Sequence, residues 1–282
     1  MVDSIPTRTL HDGLLVPSIG YGTAQLKGHA CVHGIQSAID VGYHLIDSAF
    51  NYENEGAVGE AIRRSSVPRE HLRITSKLPG RHHAYGKAIE TIQESLLRTG
   101  LDYFDLYLIH WPNPKQGLFV EAWQALIDAK RWGLIRSIGV SNFLPEHLDQ
   151  IINETGVTPS INQIELHPYF SQEEQRAYDK KLGIVTQSWS PLGRLRSDSV
   201  YSDHTIDDIA NSYGKSKAQI ILRWQIQLGA LPLVRSSNVS RQFENLSIFD
   251  FELDQKAMDK ISSLTRVDGR IDNQNPNEYE EF

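Results

Sequence analysis

Tyr103-Phe-Asp-Leu-Tyr-Leu-Ile-His110 is an apolar run that stops on a histidine. Phe104, Leu106, Leu108 and Ile109 leave it no polar face, so it reads as a strand buried on both sides, which suits a parallel sheet covered by helices. Trp111-Pro112 ends the run, because proline cannot donate to a ladder and restricts the residue ahead of it. Folds of this kind place their chemistry at the carboxyl ends of such strands. His110 is therefore the point on which other groups are expected to converge.

Working outward toward the N-terminus, residues 87–98 form an amphipathic helix, with Ile89, Ile92, Leu96 and Leu97 on one stripe and Gly100 closing it. Before it come a strand at 72–77, a helix at 54–65 capped by Asn54 with Glu55 in its first turn, and a strand at 44–48. A helix at 34–41, a short strand at 18–23 and a hairpin over 7–16 complete this half. Asp12-Gly13 reads as the hairpin's two-residue turn. In the other direction a helix at 118–132 and strands at 135–140, 161–167, 184–189 and 231–235 are predicted. Helices at 145–153 and 172–181 lie between them, and a polar loop (194–204) leads to a helical region at 205–228 that breaks near Gly214. Two more helices, 239–248 and 253–264, follow the last strand.

Eight short strands alternating with helices predict an α/β chain closed into a (β/α)8 TIM barrel, with an N-terminal β-hairpin and two additional C-terminal helices. A doubly wound open sheet is the competing topology. Two domains fit less well, because no linker interrupts the alternation, and a single domain over 1–282 is expected. Residues 266–282 lose the pattern and end acidic. They read as a surface tail, at least in their last few residues, although part of the segment could reach over the barrel mouth.

Composition narrows the function classes. The formal charge is 28 − 35 = −7, without a run of like charge, so no basic face for nucleic acid or anionic lipid is evident. Cys31 is the single cysteine, which excludes an intrachain disulfide and a multi-cysteine metal site. Neither a signal-peptide core nor a run of roughly 18 apolar residues occurs. A soluble, cytoplasmic protein without a membrane or nucleic-acid partner is expected.

In a barrel every strand end points to one face. The ends deliver Asp47, Lys77 and His110 from consecutive strands, with Tyr52 just beyond the first of them. Each has a structural alternative: a helix cap, a surface charge, a satisfied core histidine, a loop anchor. An acid, a base and an imidazole brought jointly to one mouth is poorly explained that way and marks a candidate catalytic group.

These residues also carry a resemblance. Gly42-Tyr-His-Leu-Ile-Asp-Ser-Ala-Phe-Asn-Tyr-Glu-Asn-Glu-Gly-Ala-Val-Gly59 closely resembles the first signature of the aldo-keto reductases. Gly139-Val-Ser-Asn-Phe143, Ile161-Asn-Gln-Ile-Glu-Leu-His-Pro168 and Val234-Arg-Ser-Ser-Asn-Val-Ser-Arg-Gln-Phe-Glu-Asn245 resemble further segments of that family. The similarity runs from residue 7 to about 264, in order. It implies a barrel that binds NADPH/NADP+ without a Rossmann glycine loop, and no Gly-x-Gly-x-x-Gly follows a strand here. By position, Tyr52 matches the family's general acid, Lys77 and Asp47 the pair behind it, and His110 the residue that orients the carbonyl. The chemistry is coherent, since hydride arriving at a carbonyl carbon develops negative charge on oxygen and needs a proton donor there. A tyrosine titrates near pH ~10, and a neighbouring ammonium is expected to lower that value.

The resemblance further implies that Ser141, Asn142 and Gln163 hold the nicotinamide amide and that Trp189 stacks on its ring. Tryptophan at this position resembles the bacterial 2,5-diketogluconate reductase branch. Ser190, Pro191, Leu192, Gly193 and Leu195 would line the pyrophosphate loop, with Gly22, Thr23 and Asp47 also on the cofactor side. Arg235, Ser236, Asn238 and Arg241 match the adenosine-phosphate site, and Glu244 and Asn245 lie toward adenine. The family most often carries lysine at 235, but arginine keeps the charge and binds phosphate bidentately. Tyr21, Gln25, Trp111 and the 113–117 loop, together with Tyr52 and His110, are expected around a small-molecule carbonyl substrate, and Asn275-Pro276 is a further candidate. Reduction of aldehydes or ketones by a monomer is the leading reading. The competitors are an NADH-preferring reductase, a Schiff-base aldolase using Lys77, and a non-catalytic barrel that binds NADP(H). No metal is expected, because lysine and tyrosine are poor company for one.

Overall fold

The computed structural model describes residues 5–194 and 199–282. Strands β1 (Thr7–Thr9) and β2 (Leu15–Pro17) form an antiparallel hairpin. Eight parallel strands then close into one barrel: β3 (Gly20–Gly22), β4 (Leu45–Asp47), β5 (Arg73–Leu78), β6 (Phe104–Ile109), β7 (Ile135–Ser141), β8 (Ile161–Glu165), β9 (Val185–Trp189) and β10 (Leu231–Val234). They pair in sequence order, and β10 closes on β3 with Leu233 opposite Gly20. Around them run α1 (Gly28–Val41), α2 (Glu55–Arg64), α3 (Tyr85–Thr99), α4 (Phe119–Arg131), α5 (Pro145–Thr155), α6 (Glu173–Lys181), α7 (His204–Tyr213), α8 (Lys217–Gln227), α9 (Val239–Leu246) and α10 (Gln255–Ser262). No helix of the described residues is long and apolar enough to cross a membrane.

β6 shows why the apolar run was decisive. Leu106 and Leu108 point into the barrel, where they meet Leu45, Ile161, Leu231 and Leu233. Phe104, Tyr107 and Ile109 point outward into the shell beneath the helices. Burying side chains of this size contributes about 1.5–3 kcal/mol each, so a polar residue on either face would be costly. The barrel interior is narrow enough that a Cβ on Gly139 would stand 2.7 Å from the Ile161 carbonyl oxygen.

The hairpin closes the amino-terminal end of this interior. Leu10 and Val16 join the inner cluster, the Arg73 guanidinium donates to the Leu15 carbonyl at 2.7 Å, and His11 meets the Pro159 carbonyl at 3.0 Å. Asp12-Gly13 is not a two-residue turn. Thr9 stands opposite Leu15, so the loop spans five residues, because Leu10 leaves the strand to bury itself in the barrel floor. Two further boundaries move. α1 begins at Gly28 rather than 34 and buries Cys31, Val32, Ile35, Ala38 and Ile39; its glycines and histidines dilute the helix propensity that packing then overrides. β8 stops at Glu165, and His167 instead bridges to Phe170 in the following turn. Gly214 ends α7 in the left-handed conformation, and Ser216 with Gln219 forms a capping box that restarts the chain as α8.

Candidate active site

Asp47 is the last residue of β4, Lys77 stands one residue before the end of β5, and His110 follows β6 with its N–H on the Leu78 carbonyl at 3.0 Å. Parallel register therefore brings all three to the carboxyl-terminal face. Tyr52 closes a single 3-10 turn, Phe50–Tyr52, just after β4. The Lys77 ammonium is wholly buried; it donates to Asp47 Oδ1 at 2.6 Å and to the Ser48 carbonyl at 2.7 Å. It also lies 5.0 Å from the centre of the Tyr52 ring. The His110 ring meets Tyr52 edge-on, with centroids 5.7 Å apart.

Charge is balanced tightly here. Burial works to lower the Lys77 pKa, but attraction to Asp47 and Tyr52 outweighs it and leaves the ammonium more firmly protonated than a free lysine. Tyr52 behaves otherwise than the sequence suggested. Burial raises its pKa more than Lys77 lowers it, with Asp47 and Glu281 adding to the rise, so the phenol keeps its proton.

The carboxylate of Asp47 is shared. Its Oδ2 accepts from Gln163 Nε2 at 3.0 Å, and that same nitrogen donates to Gln187 Oε1 at 2.7 Å. Ser141 Oγ donates to the Gln163 carbonyl at 2.8 Å; Asn142 Nδ2 donates to the His110 carbonyl at 3.0 Å; and Trp189 Nε1 donates to Asn142 Oδ1 at 2.8 Å. These bonds fix the three amide and hydroxyl groups beside the indole. Asn142 and Ser190, each the first residue past its strand, adopt left-handed backbone conformations with φ of 61° and 49°. Such conformations are costly outside glycine and concentrate at functional loops.

Ser190 to Gly193 form a tight turn, in which the Gly193 N–H donates to the Ser190 carbonyl and the Pro191 carbonyl accepts from Gln225. Leu192 seals this turn against the cores beneath it, and Leu195 lies outside the described residues. After β10, Arg235 and Arg241 are both exposed around the start of α9. Asn238 caps that helix by accepting from the Arg241 N–H at 3.1 Å, and Ser236 Oγ braces Asn238. The Arg241 guanidinium has no ion-pair partner among the described residues. Glu244 accepts from Ser216 Oγ at 2.5 Å, and Asn245 is buried behind it. Two cations, a hydroxyl and a helix start form a donor set suited to a phosphate. Gly22 has open space where a Cβ would stand, while Thr23 is fully buried and donates to the Asp47 carbonyl.

Two residues expected around the substrate are placed elsewhere. Tyr21 is fully buried against Tyr43 and donates its hydroxyl to the Ser236 carbonyl at 2.8 Å; burial pushes its pKa up to about 12. Gln25 accepts from Arg235 at 3.0 Å, so it braces that guanidinium. Trp111 does line the mouth, between Trp189 and Tyr279.

The family model for the aldo/keto reductases matches residues 18–266. The chain belongs to that family. A 2,5-diketo-D-gluconic acid reductase B from a Corynebacterium species is 47% identical over 279 residues, 99% of each chain. The methylglyoxal reductase DkgA of Escherichia coli is 43% identical over 255 residues, 90% of this chain and 92% of that one. Among solved structures, an Asp-to-Ala variant of Gox0644 in complex with NADPH superposes with a TM-score of 0.93 at 37% identity, covering 99% of this chain and 100% of that one.

In this aldo/keto reductase the tail departs from the sequence expectation. Tyr279 to Glu281 are not a solvated surface segment, although Phe282 is exposed. Tyr279 lies on Trp111 at 4.4 Å, Glu280 accepts from the Lys115 N–H at 2.7 Å, and Glu281 is buried with a carboxylate oxygen 2.6 Å from His110 Nδ1. Asn51, Gly80 and Glu281 meet at this face without having been singled out from the sequence, whereas Asn113 belongs to the 113–117 loop expected around the pocket. A signal existed only for Asn51, which stands inside the quoted signature one residue before Tyr52.

Proposed function

We propose that this chain reduces aldehydes or ketones to alcohols with NADPH, Tyr52 serving as general acid. The buried Lys77–Asp47 pair set under a protonated Tyr52, with His110 edge-on, carries this reading. Bound NADPH supplies the hydride. Ser141, Asn142, Gln163 and Trp189 would hold and cover its nicotinamide, Ser190 to Gly193 its pyrophosphate, and Arg235, Ser236, Asn238 and Arg241 its adenosine phosphate; the NADPH complex of the Gox0644 relative supports NADPH as the cofactor.

The chain's own groups then divide the work. Tyr52 keeps its proton at neutral pH and releases it to an oxygen that becomes basic as hydride arrives. Lys77, charged and fixed, stabilises the phenolate left behind, and Asp47 holds Lys77 in that state. His110 hydrogen-bonds the carbonyl oxygen and sets its approach to Tyr52. A Schiff-base role for Lys77 fits poorly, since a nucleophilic amine must lose its proton and this one is held charged by Asp47. NADPH oxidation against a panel of aldehydes, α-keto esters, diketones and keto sugars tests the activity. Tyr52→Phe should bind NADPH with unaltered affinity, followed by fluorescence, and lose nearly all carbonyl reduction; undiminished turnover would refute the role given to Tyr52.

A further inference from the structure

The mouth contains an acid that the reduction itself does not use. Glu281 is clamped from several sides. Its Oε1 lies 2.6 Å from His110 Nδ1, off the direction of a linear ring N–H bond, and accepts from Asn51 Nδ2 at 2.8 Å. Its Oε2 accepts from the Gly80 N–H at 3.0 Å. The backbone of Glu281 exchanges two hydrogen bonds, of 2.8 and 3.1 Å, with the Asn113 side chain. Gly80 is required there, because a Cβ would stand 2.2 Å from the Asn113 amide nitrogen. Burial alone would raise the Glu281 carboxyl pKa, but His110, Gly80 and Asn51 together hold it below the ordinary range. A carboxylate fixed by the Gly80 and Asn51 donors therefore faces the residue assigned above to the substrate carbonyl.

We propose that Glu281 is a specificity-determining residue: its carboxylate sets the mouth against substrates bearing a carboxylate next to the reacting carbonyl and favours uncharged aldehydes and ketones. This rests on the carbonyl-reductase reading above. With Glu281 on Nδ1, a carbonyl oxygen held by the far side of the His110 ring would leave an α-carboxylate within about 10 Å of Glu281, inside one Debye length. At that separation and an effective dielectric constant of about 20, the repulsion corresponds to roughly 15-fold in selectivity. A charge that penalises one class of ligand is the repulsive half of specificity. The opposite possibility is that a substrate carboxylate displaces the tail and takes over the Gly80 and Asn51 donors, and it makes the opposite forecast.

Methylglyoxal and glyoxylate form a matched pair, a methyl ketone group replaced by a carboxylate on the same aldehyde. Their kcat/KM values with NADPH are measured on the full chain, Glu281→Gln, Glu281→Lys and Glu278→Gln, the last an exposed acid of the same tail. The methylglyoxal-to-glyoxylate ratio should fall at least threefold in Glu281→Gln, fall further in Glu281→Lys, and hold in Glu278→Gln. A smaller fall, a rise, or an equal fall in Glu278→Gln overturns the proposal. Disturbed placement of His110 would lower both substrates and leave their ratio unmoved. A wild-type chain that binds NADPH yet reduces neither compound nor any other carbonyl refutes the underlying activity instead.

Discussion

Removing the acid beneath Lys77 while keeping its shape tests the centre of the site. In Asp47→Asn the ammonium stays fully buried but loses the anion 2.6 Å away. At that distance and an effective dielectric constant of about 20, the attraction is roughly 6 kcal/mol before desolvation is counted. Measured losses on breaking buried pairs are about 3–5 kcal/mol, because one charge is left uncompensated. Urea unfolding should therefore show Asp47→Asn less stable by about 3 kcal/mol or more. The double variant Asp47→Asn/Lys77→Met removes both charges and should recover most of that loss, whereas carbonyl reduction should be abolished in both. A single variant within about 1 kcal/mol of the parent, or a double variant no better than the single, would refute the account of Lys77 as a charged, Asp47-dependent group.

Asp179, buried on α6 and accepting from Asn162, Gln175 and Thr186, is pushed up to about 6 by burial. Its folded pKa lies above the unfolded value, so the stability it adds is full below pH ~4 and lost as pH rises through about 6. The stability difference between wild type and Asp179→Asn should therefore shift by about 2 kcal/mol in the variant's favour between pH 4 and 7, and a flat difference in urea titrations would contradict the buried-acid account. A Cβ at Gly59 would stand 1.8 Å from the Thr99 carbonyl oxygen, so Gly59→Ala must force α2 away from α3. Overpacking of this kind costs about 1–3 kcal/mol, read as a lower urea midpoint; an unshifted midpoint would contradict the close helix contact. Arg241→Ala should weaken NADPH by roughly 10- to 100-fold, the loss of a charge-assisted contact. NADH affinity should barely move in the same binding titration, and equal losses for both cofactors would remove Arg241 from the phosphate site.

Much of the architecture was legible because it is periodic. β6 announced itself through an unbroken apolar run, and α3 through Ile89, Ile92 and Leu96. The convergence of Asp47, Lys77 and His110 followed from topology alone, since parallel strands end on one face. What escaped had no periodic signal. Leu10 looks like any residue beside an Asp-Gly turn until the barrel floor claims it. Tyr21 reads as a pocket residue from its place at a strand end, and only the three-dimensional path of the Ser236 carbonyl draws its hydroxyl away. Glu281 lies at the end of an acidic segment whose composition suggests solvation, but pairing with His110, Asn51 and Gly80 compensates the burial of its charge. Long-range contacts between positions some 170 to 230 apart, such as His110 or Asn51 with Glu281, leave no trace in a local pattern.

The opposed placement of the hairpin and the tail has a practical side. The barrel floor, where Leu10 and Val16 are seated, is at the end remote from Tyr52, whereas Phe282 directly follows the residue that touches His110. A purification tag or fusion partner joined after Phe282 would hang its linker from the active-site mouth and pull on Glu281 and Tyr279. The same addition ahead of the hairpin leaves from the far pole. Kinetic constants measured on material tagged after Phe282 would therefore report on a perturbed mouth, whereas a tag ahead of the hairpin leaves the contacts of Tyr279 and Glu281 in place.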